Sequence, residues 1–98
     1  MTRLGEMQRK HPSIEFIGQT VRQRRLAMGL SQEDMADRVG VHRTYYSSLE
    51  RGAYNFTVTV LFRLAVGLEC EPGDLLPPRS SLTNLPPVAP RRGRPRLV

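Results

Sequence analysis

Ser31, Asp34, Gly40 and Gly52 do most to limit what this chain can fold into. In "SQEDMADRVG" a serine stands three positions before Asp34, the spacing at which two side chains can each satisfy an end amide of a helix. The segment closes at Gly40, a residue able to take the positive φ that stops a helix and turns the chain. That spacing predicts a helix of only two turns. "VHRTYYSSLERG" follows at once and predicts another short helix, from about His42 to Arg51, ended by Gly52. Neither helix is long enough to be stable in water alone, so the two must be held by packing.

The remaining apolar residues between 14 and 76 also follow helical spacing. A first helix is expected from about Ile14 to Met28, with Ile14, Ile17, Val21 and Met28 on one stripe that Arg24 and Arg25 interrupt, and with Gly29 to end it. A fourth is expected near Thr59 to Gly67. "FTVTV" alternates there as a strand would, but no partner strand is evident. Pro72 suits the first turn of a fifth helix ending at Leu76. The expected fold is therefore all-α, a compact five-helix domain over residues 14–76, preceded by a flexible segment 1–13. From Pro77 on, "PPRSSLTNLPPVAPRRGRPRLV" holds six of the eight prolines and few apolar side chains. Such a composition cannot offset its ordering entropy, so residues 77–98 are expected to be a disordered basic tail.

Ninety-eight residues leave room for one such core. No apolar run approaches the roughly 18 to 20 residues that span a bilayer, and "MTRLGEMQRKHPS" lacks the apolar stretch of a secretory signal, so a cytoplasmic, nucleoid-associated location is expected. Cys70 is the only cysteine and reads as a small buried apolar residue. With His11 and His42 the only histidines, no metal-ligand cluster, cofactor motif or Ser, His and acid set appears, so an enzyme is not expected. The net charge of +6 is concentrated in the tails: residues 14–76 hold seven Arg against eight acids. A near-neutral core must place its few cations well, while basic tails add attraction to phosphate that is blind to sequence. Fourteen of the fifteen cations are Arg, which suits bidentate contacts to phosphate or guanine.

On a wheel centred on Tyr46, the third helix puts Leu49 and His42 on one face and Thr44, Ser48 and Arg51 on the other, with Ser47 beside them and Arg43 at the entrance. Taken alone, such a polar face most often meets only water. Its neighbours change the expectation. Ala36 is small where the second and third helices should cross, and Met35, Val39, Val41, Tyr46 and Leu49 supply apolar contacts, which makes the pair a helix-turn-helix. Hydroxyls and a guanidinium on its outer face match the donors and acceptors of base edges in a major groove.

Over about Ile17 to Leu76, through "RRLAMGLSQEDMADRVGV", "HRTYYSSLERG" and Asn55, the sequence resembles the phage-repressor and Cro type of helix-turn-helix proteins, the Xre-like family. Within it, the pattern "HRTYxxxxERGxxN" is similar to the controller proteins of restriction-modification systems. The resemblance implies a sequence-specific transcription regulator that binds double-stranded DNA. It places Arg43, Thr44 and Ser48 at the bases, Arg43 suited to guanine and Thr44 to a thymine methyl or a phosphate. Tyr45 would touch the backbone or a base step, and His42 would act as a cap or a base contact. Gln32, at a helix N-terminus, would hold a phosphate, as would Arg51 and Asn55, with Ser47 suited to either role. Arg25 and Glu50 match a cation and acid that pair for stability. Arg24 departs from the family, which commonly has an apolar residue there.

In the tail, Arg92, Gly93, Arg94 and Pro95 resemble the core of an AT-hook, in which an extended Arg pair enters a narrow A/T-rich minor groove. The small core and the few bases one helix can read point to a homodimer on a near-palindromic operator, its half-sites about 34 Å apart. Leu61, Leu64, Leu68, Leu75 and Leu76 are candidates for that interface or for the monomer core. The same domain would also suit an antitoxin whose tail blocks a toxin, or a module that binds protein or RNA. An activator would further need a contact with RNA polymerase.

Overall fold

The computed structural model describes residues 11–53 and 55–85. Four α-helices, α1 (Pro12–Ala27), α2 (Gln32–Val39), α3 (Arg43–Glu50) and α4 (Val58–Leu68), precede 3-10 turns at Pro72–Leu75 and Arg79–Ser81. Among the described residues there is no strand.

Each start has a local cause. His11 caps α1, its Nδ1 accepting from the Ser13 N–H at 3.0 Å, and Pro12 occupies the first turn, where no amide partner is lost. The helix thus begins two residues before the expected Ile14. Ser31 caps α2 by accepting from the Asp34 N–H at 3.0 Å. Thr57 resolves the strand-like "FTVTV": its Oγ1 accepts from the Val60 N–H at 3.1 Å, so the alternation straddles a helix cap. The fifth helix is a single 3-10 turn that buries Leu75.

The core gathers around Val21, Met35, Tyr46, Leu49, Leu64 and Leu75, all fully enclosed, with Ile17, Ala36, Val39, Ala65 and Leu68 around them. Ile14, Met28 and Cys70 are only half-buried. Of the five leucines in doubt, Leu64, Leu68 and Leu75 belong to this core, whereas Leu76 is exposed and Leu61 half-buried.

Two glycines set the site's frame. Gly40, with φ 79°, turns α2 into α3. Gly18 lets α1 lie directly on the end of α3, where an added Cβ would come within 2.6 Å of the carbonyl oxygens of Leu49 and Glu50. At the far end of α2, Arg38 donates to the Gly67 carbonyl at 2.7 Å and pairs with Glu69, and Arg63 donates to the Val39 carbonyl at 3.2 Å. These bonds satisfy helix-end carbonyls and tie α2 to α4.

Candidate nucleic-acid interface

The back of α3 is locked before its front can read anything. Tyr46 and Leu49 are fully buried, and Glu50 beside them meets Arg25 of α1 in a two-bond pair, Nε to Oε2 at 2.6 Å and Nη2 to Oε1 at 3.1 Å. The Arg25 Nη1 also donates to the Leu30 carbonyl at 2.7 Å, which holds the α1–α2 link. Burial alone would push the Glu50 carboxyl up, but hydrogen bonds from Arg25 and Gln32, with the Tyr46 hydroxyl beside them, bring it below the usual carboxylate range. The hydrogen bond to Glu50 outweighs burial at Arg25 and raises that group in turn. The expected structural pair is therefore in place, at the junction of α1, α2 and α3.

Tyr46 brings a polar atom into this junction. Its hydroxyl is fully buried and lies beside the Glu50 carboxylate, yet has no hydrogen bond of good geometry. Burial first, then the carboxylate, pushes its ionisation far up, so it stays a neutral phenol. An unsatisfied buried hydroxyl costs about 1 to 3 kcal/mol. Tyr46→Phe is expected to leave the protein as stable or to stabilise it by about 1 kcal/mol, read from a thermal melt. A loss above about 1.5 kcal/mol would show instead that the hydroxyl donates to Glu50.

The front of α3 is open at its first turn. His42, Arg43 and Thr44 are exposed, and Arg43 has no hydrogen bond or ion pair among the described residues. His42 is the cap: its Nδ1 accepts from the Thr44 N–H at 3.3 Å, which leaves the Nε2 proton facing outward as a donor. It thus leaves the apolar face on which the wheel placed it. Tyr45 is half-buried. Ser47 is half-buried and accepts from the Arg51 guanidinium at 3.1 Å, which steadies that exposed cation at the helix end. Asn55 is exposed just past the turn. The only acid of α3, Glu50, is spent on the buried pair, so the open end carries no negative side chain.

Two expected contacts are altered. Ser48 is buried and its hydroxyl donates to the Tyr45 carbonyl at 2.7 Å, which commits that proton within the helix. Ser48 nevertheless borders a hollow lined by His42, Thr44, Tyr45 and Arg51. Gln32 is half-buried, with its amide donating to Glu50 at 2.9 Å, so one of its protons is committed to the junction and only the rest of the group can meet a phosphate. Gln19 and Arg22 of α1, which the sequence did not single out, line one cleft with Glu15, Arg25, Gln32, Glu50 and Arg51. The signal was available: Glu15, Gln19 and Arg22 are spaced i, i+4, i+7, a polar stripe beside the core face of α1. Arg92, Gly93, Arg94 and Pro95 lie outside the described residues.

A short helix braced from behind, joined by a glycine turn to a second helix and open at its N-terminal end, defines a helix-turn-helix reading unit. The chain belongs to the helix-turn-helix family, whose model matches residues 21–75. It is 42% identical over 62 residues to the control protein C.BamHI of Bacillus amyloliquefaciens, covering 62% of this chain and 76% of that protein. C.SmaI of Serratia marcescens, also a control protein, is 40% identical over 62 residues, covering 63% and 74%. Among solved structures, the restriction-modification controller protein C.AhdI from Aeromonas hydrophila superposes with a TM-score of 0.65 at 36% identity, over 67% of this chain and all of that one. The resemblance carried by "HRTYxxxxERGxxN" thus extends through the fold.

Proposed function

We propose that this protein is a sequence-specific DNA-binding transcription regulator that inserts the N-terminal end of α3 into the major groove of a near-palindromic operator. The observation that carries this reading is the contrast between the two sides of α3: Glu50 and Tyr46 are buried behind it, while Arg43, Thr44 and the His42 Nε2–H stand free at its entrance. Arg43 is the base-reading cation and Thr44 its neighbour. His42 donates to a base acceptor and Tyr45 borders the same hollow. Gln32, Ser47, Arg51 and Asn55 serve the phosphates on either side, joined by Gln19 and Arg22.

A homodimer fits the exposed apolar residues of α4. Val58, Phe62 and Val66, spaced i, i+4, i+8 on one face of α4, are 64%, 52% and 78% exposed, an apolar stripe for a second copy to cover. The protein would work in the cytoplasm without catalysis, and among the described residues no helix is long and apolar enough to cross a membrane. The likeness to control proteins supports regulation over the antitoxin and RNA-module readings.

Selection of bound duplexes from a randomised pool tests this. Enrichment of a near-palindrome with fixed half-site spacing is expected, and a single asymmetric site would count against the dimer. Arg43→Ala should lose about 1 to 3 kcal/mol of discrimination at one guanine per half-site while keeping its non-specific affinity. Equal binding of every duplex by the wild type would overturn the proposal.

A further inference from the structure

His42, Thr44, Tyr45, Ser48 and Arg51 line an open hollow on α3, at the end of the helix that enters the major groove in the proposed reading. Several of its polar groups are already engaged. The Ser48 hydroxyl gives its proton to the Tyr45 carbonyl at 2.7 Å, and the His42 Nδ1 accepts from the Thr44 N–H at 3.3 Å. The Arg51 guanidinium, roughly two turns further along the helix, donates to the Ser47 hydroxyl at 3.1 Å. What these bonds leave on the wall is mainly carbon from Thr44, Tyr45 and Ser48. One donor stands beside it: the capping role of Nδ1 puts the imidazole proton on Nε2, and that N–H faces outward.

A wall of carbon with a single donor beside it matches one base edge better than the others. In the major groove guanine offers two acceptors, adenine an acceptor and a donor, and cytosine a donor. None of the three carries a methyl group. Thymine does, with its O4 acceptor on the adjoining ring carbon. The hollow can bury that methyl while the His42 Nε2–H meets O4, whereas the amino group of cytosine would set donor against donor. No acid lines the hollow, so nothing there repels a base flanked by phosphates.

We propose that His42, with the hollow formed by Thr44, Tyr45 and Ser48, reads one thymine in each half-site, its methyl group seated in the hollow and its O4 bonded to His42. This rests on the operator-binding reading of α3. It gives His42 a part in specificity besides its cap, and it gives Ser48, whose proton is committed, a place in the apolar wall.

The test uses the full chain and the duplex it selects from a random pool. Each thymine of the half-site is replaced in turn by uracil, which lacks only the methyl group, and each T·A pair by C·G and by 5-methylcytosine·G. At one position per half-site uracil should weaken binding about three- to fivefold, the effect of one buried methyl. C·G should weaken it about ten- to a hundredfold, through the lost methyl and the donor opposed to His42. Returning the methyl on 5-methylcytosine should recover about three- to fivefold of that loss.

Two variants separate the parts. His42→Ser keeps a cap acceptor but withdraws the outward donor. It should lower the preference for T·A over C·G to about three- to fivefold and leave the ratio of thymine to uracil as it was. Thr44→Ser removes a methyl from the wall at an exposed position and should bring the thymine-to-uracil ratio below about twofold. A half-site with no fixed thymine, or uracil bound as well as thymine at every position, overturns the proposal. An undiminished preference for T·A in His42→Ser overturns the role of His42, and an unchanged thymine-to-uracil ratio in Thr44→Ser overturns the wall. Failure of the α3 reading looks different, because all duplexes would then bind alike and none would be selected, which removes the proposal with it.

Discussion

Arg25→Ala is expected to destabilise the protein by about 3 to 5 kcal/mol, since it strands the Glu50 carboxylate in a nearly closed junction with only Gln32 to donate to it. For a domain of this size that is a fall in Tm of at least about 12 °C. DNA binding would vanish with it, although neither residue touches a base. A variant that melts within about 2 °C of the wild type would show that the pair does not hold the fold together. Glu50 supplies a second readout. Its folded pKa is depressed, so its contribution is fully present above the unfolded value of about 4.3 and is lost as the pH falls through the lower folded value. In Glu50→Gln, stability should therefore decline less steeply from pH 5 toward pH 3 than in the wild type.

Gly18→Ala is expected to cost about 1 to 3 kcal/mol, against the ordinary trend by which alanine improves a helix by about 1 kcal/mol over glycine. The opposing groups are backbone carbonyls of Leu49 and Glu50, which cannot swing aside as a side chain would. Either α1 lifts off α3 or α3 tilts. Gln19→Ala, one residue along on the exposed side, should stay within about 0.5 kcal/mol and serves as the control. If both variants melt together, the close approach of α1 to α3 is wrong. If Gly18→Ala folds but binds its operator poorly, the close approach of α1 matters for placing α3 as well as for stability.

How much of this was legible in the sequence depended on whether the cause was local. The capping of α2 by Ser31 and the turn at Gly40 lie within a few residues of one another, so spacing alone exposed them. The Arg25–Glu50 pair joins residues 25 apart, and the family resemblance supplied what periodicity could not. Ser48, on the polar side of the wheel, gives its hydroxyl proton to the Tyr45 carbonyl of its own helix, and Gln32 gives one amide proton to Glu50 of another element; a helical wheel shows neither bond. The division of the leucines required the packing itself: Leu75 and Leu76 are neighbours in sequence, and only one is inside. The bond from the His11 Nε2–H to the Thr83 carbonyl, 2.9 Å long, spans most of the chain and places an ordered contact inside the segment expected to be disordered; it left no mark in composition or spacing.

The brace that holds α3 leaves its entrance untouched. Its length is eight residues, and the buried side chains that fix its position, Tyr46, Leu49 and Glu50, begin only at the fourth. The residues that face outward at its entrance, His42, Arg43 and Thr44, bear little of the domain's weight apart from the His42 cap. On the proposed reading of α3, a lineage that exchanged Arg43 and Thr44 would acquire a new target site in one or two steps without first repairing its scaffold, so recognition would drift far faster than architecture.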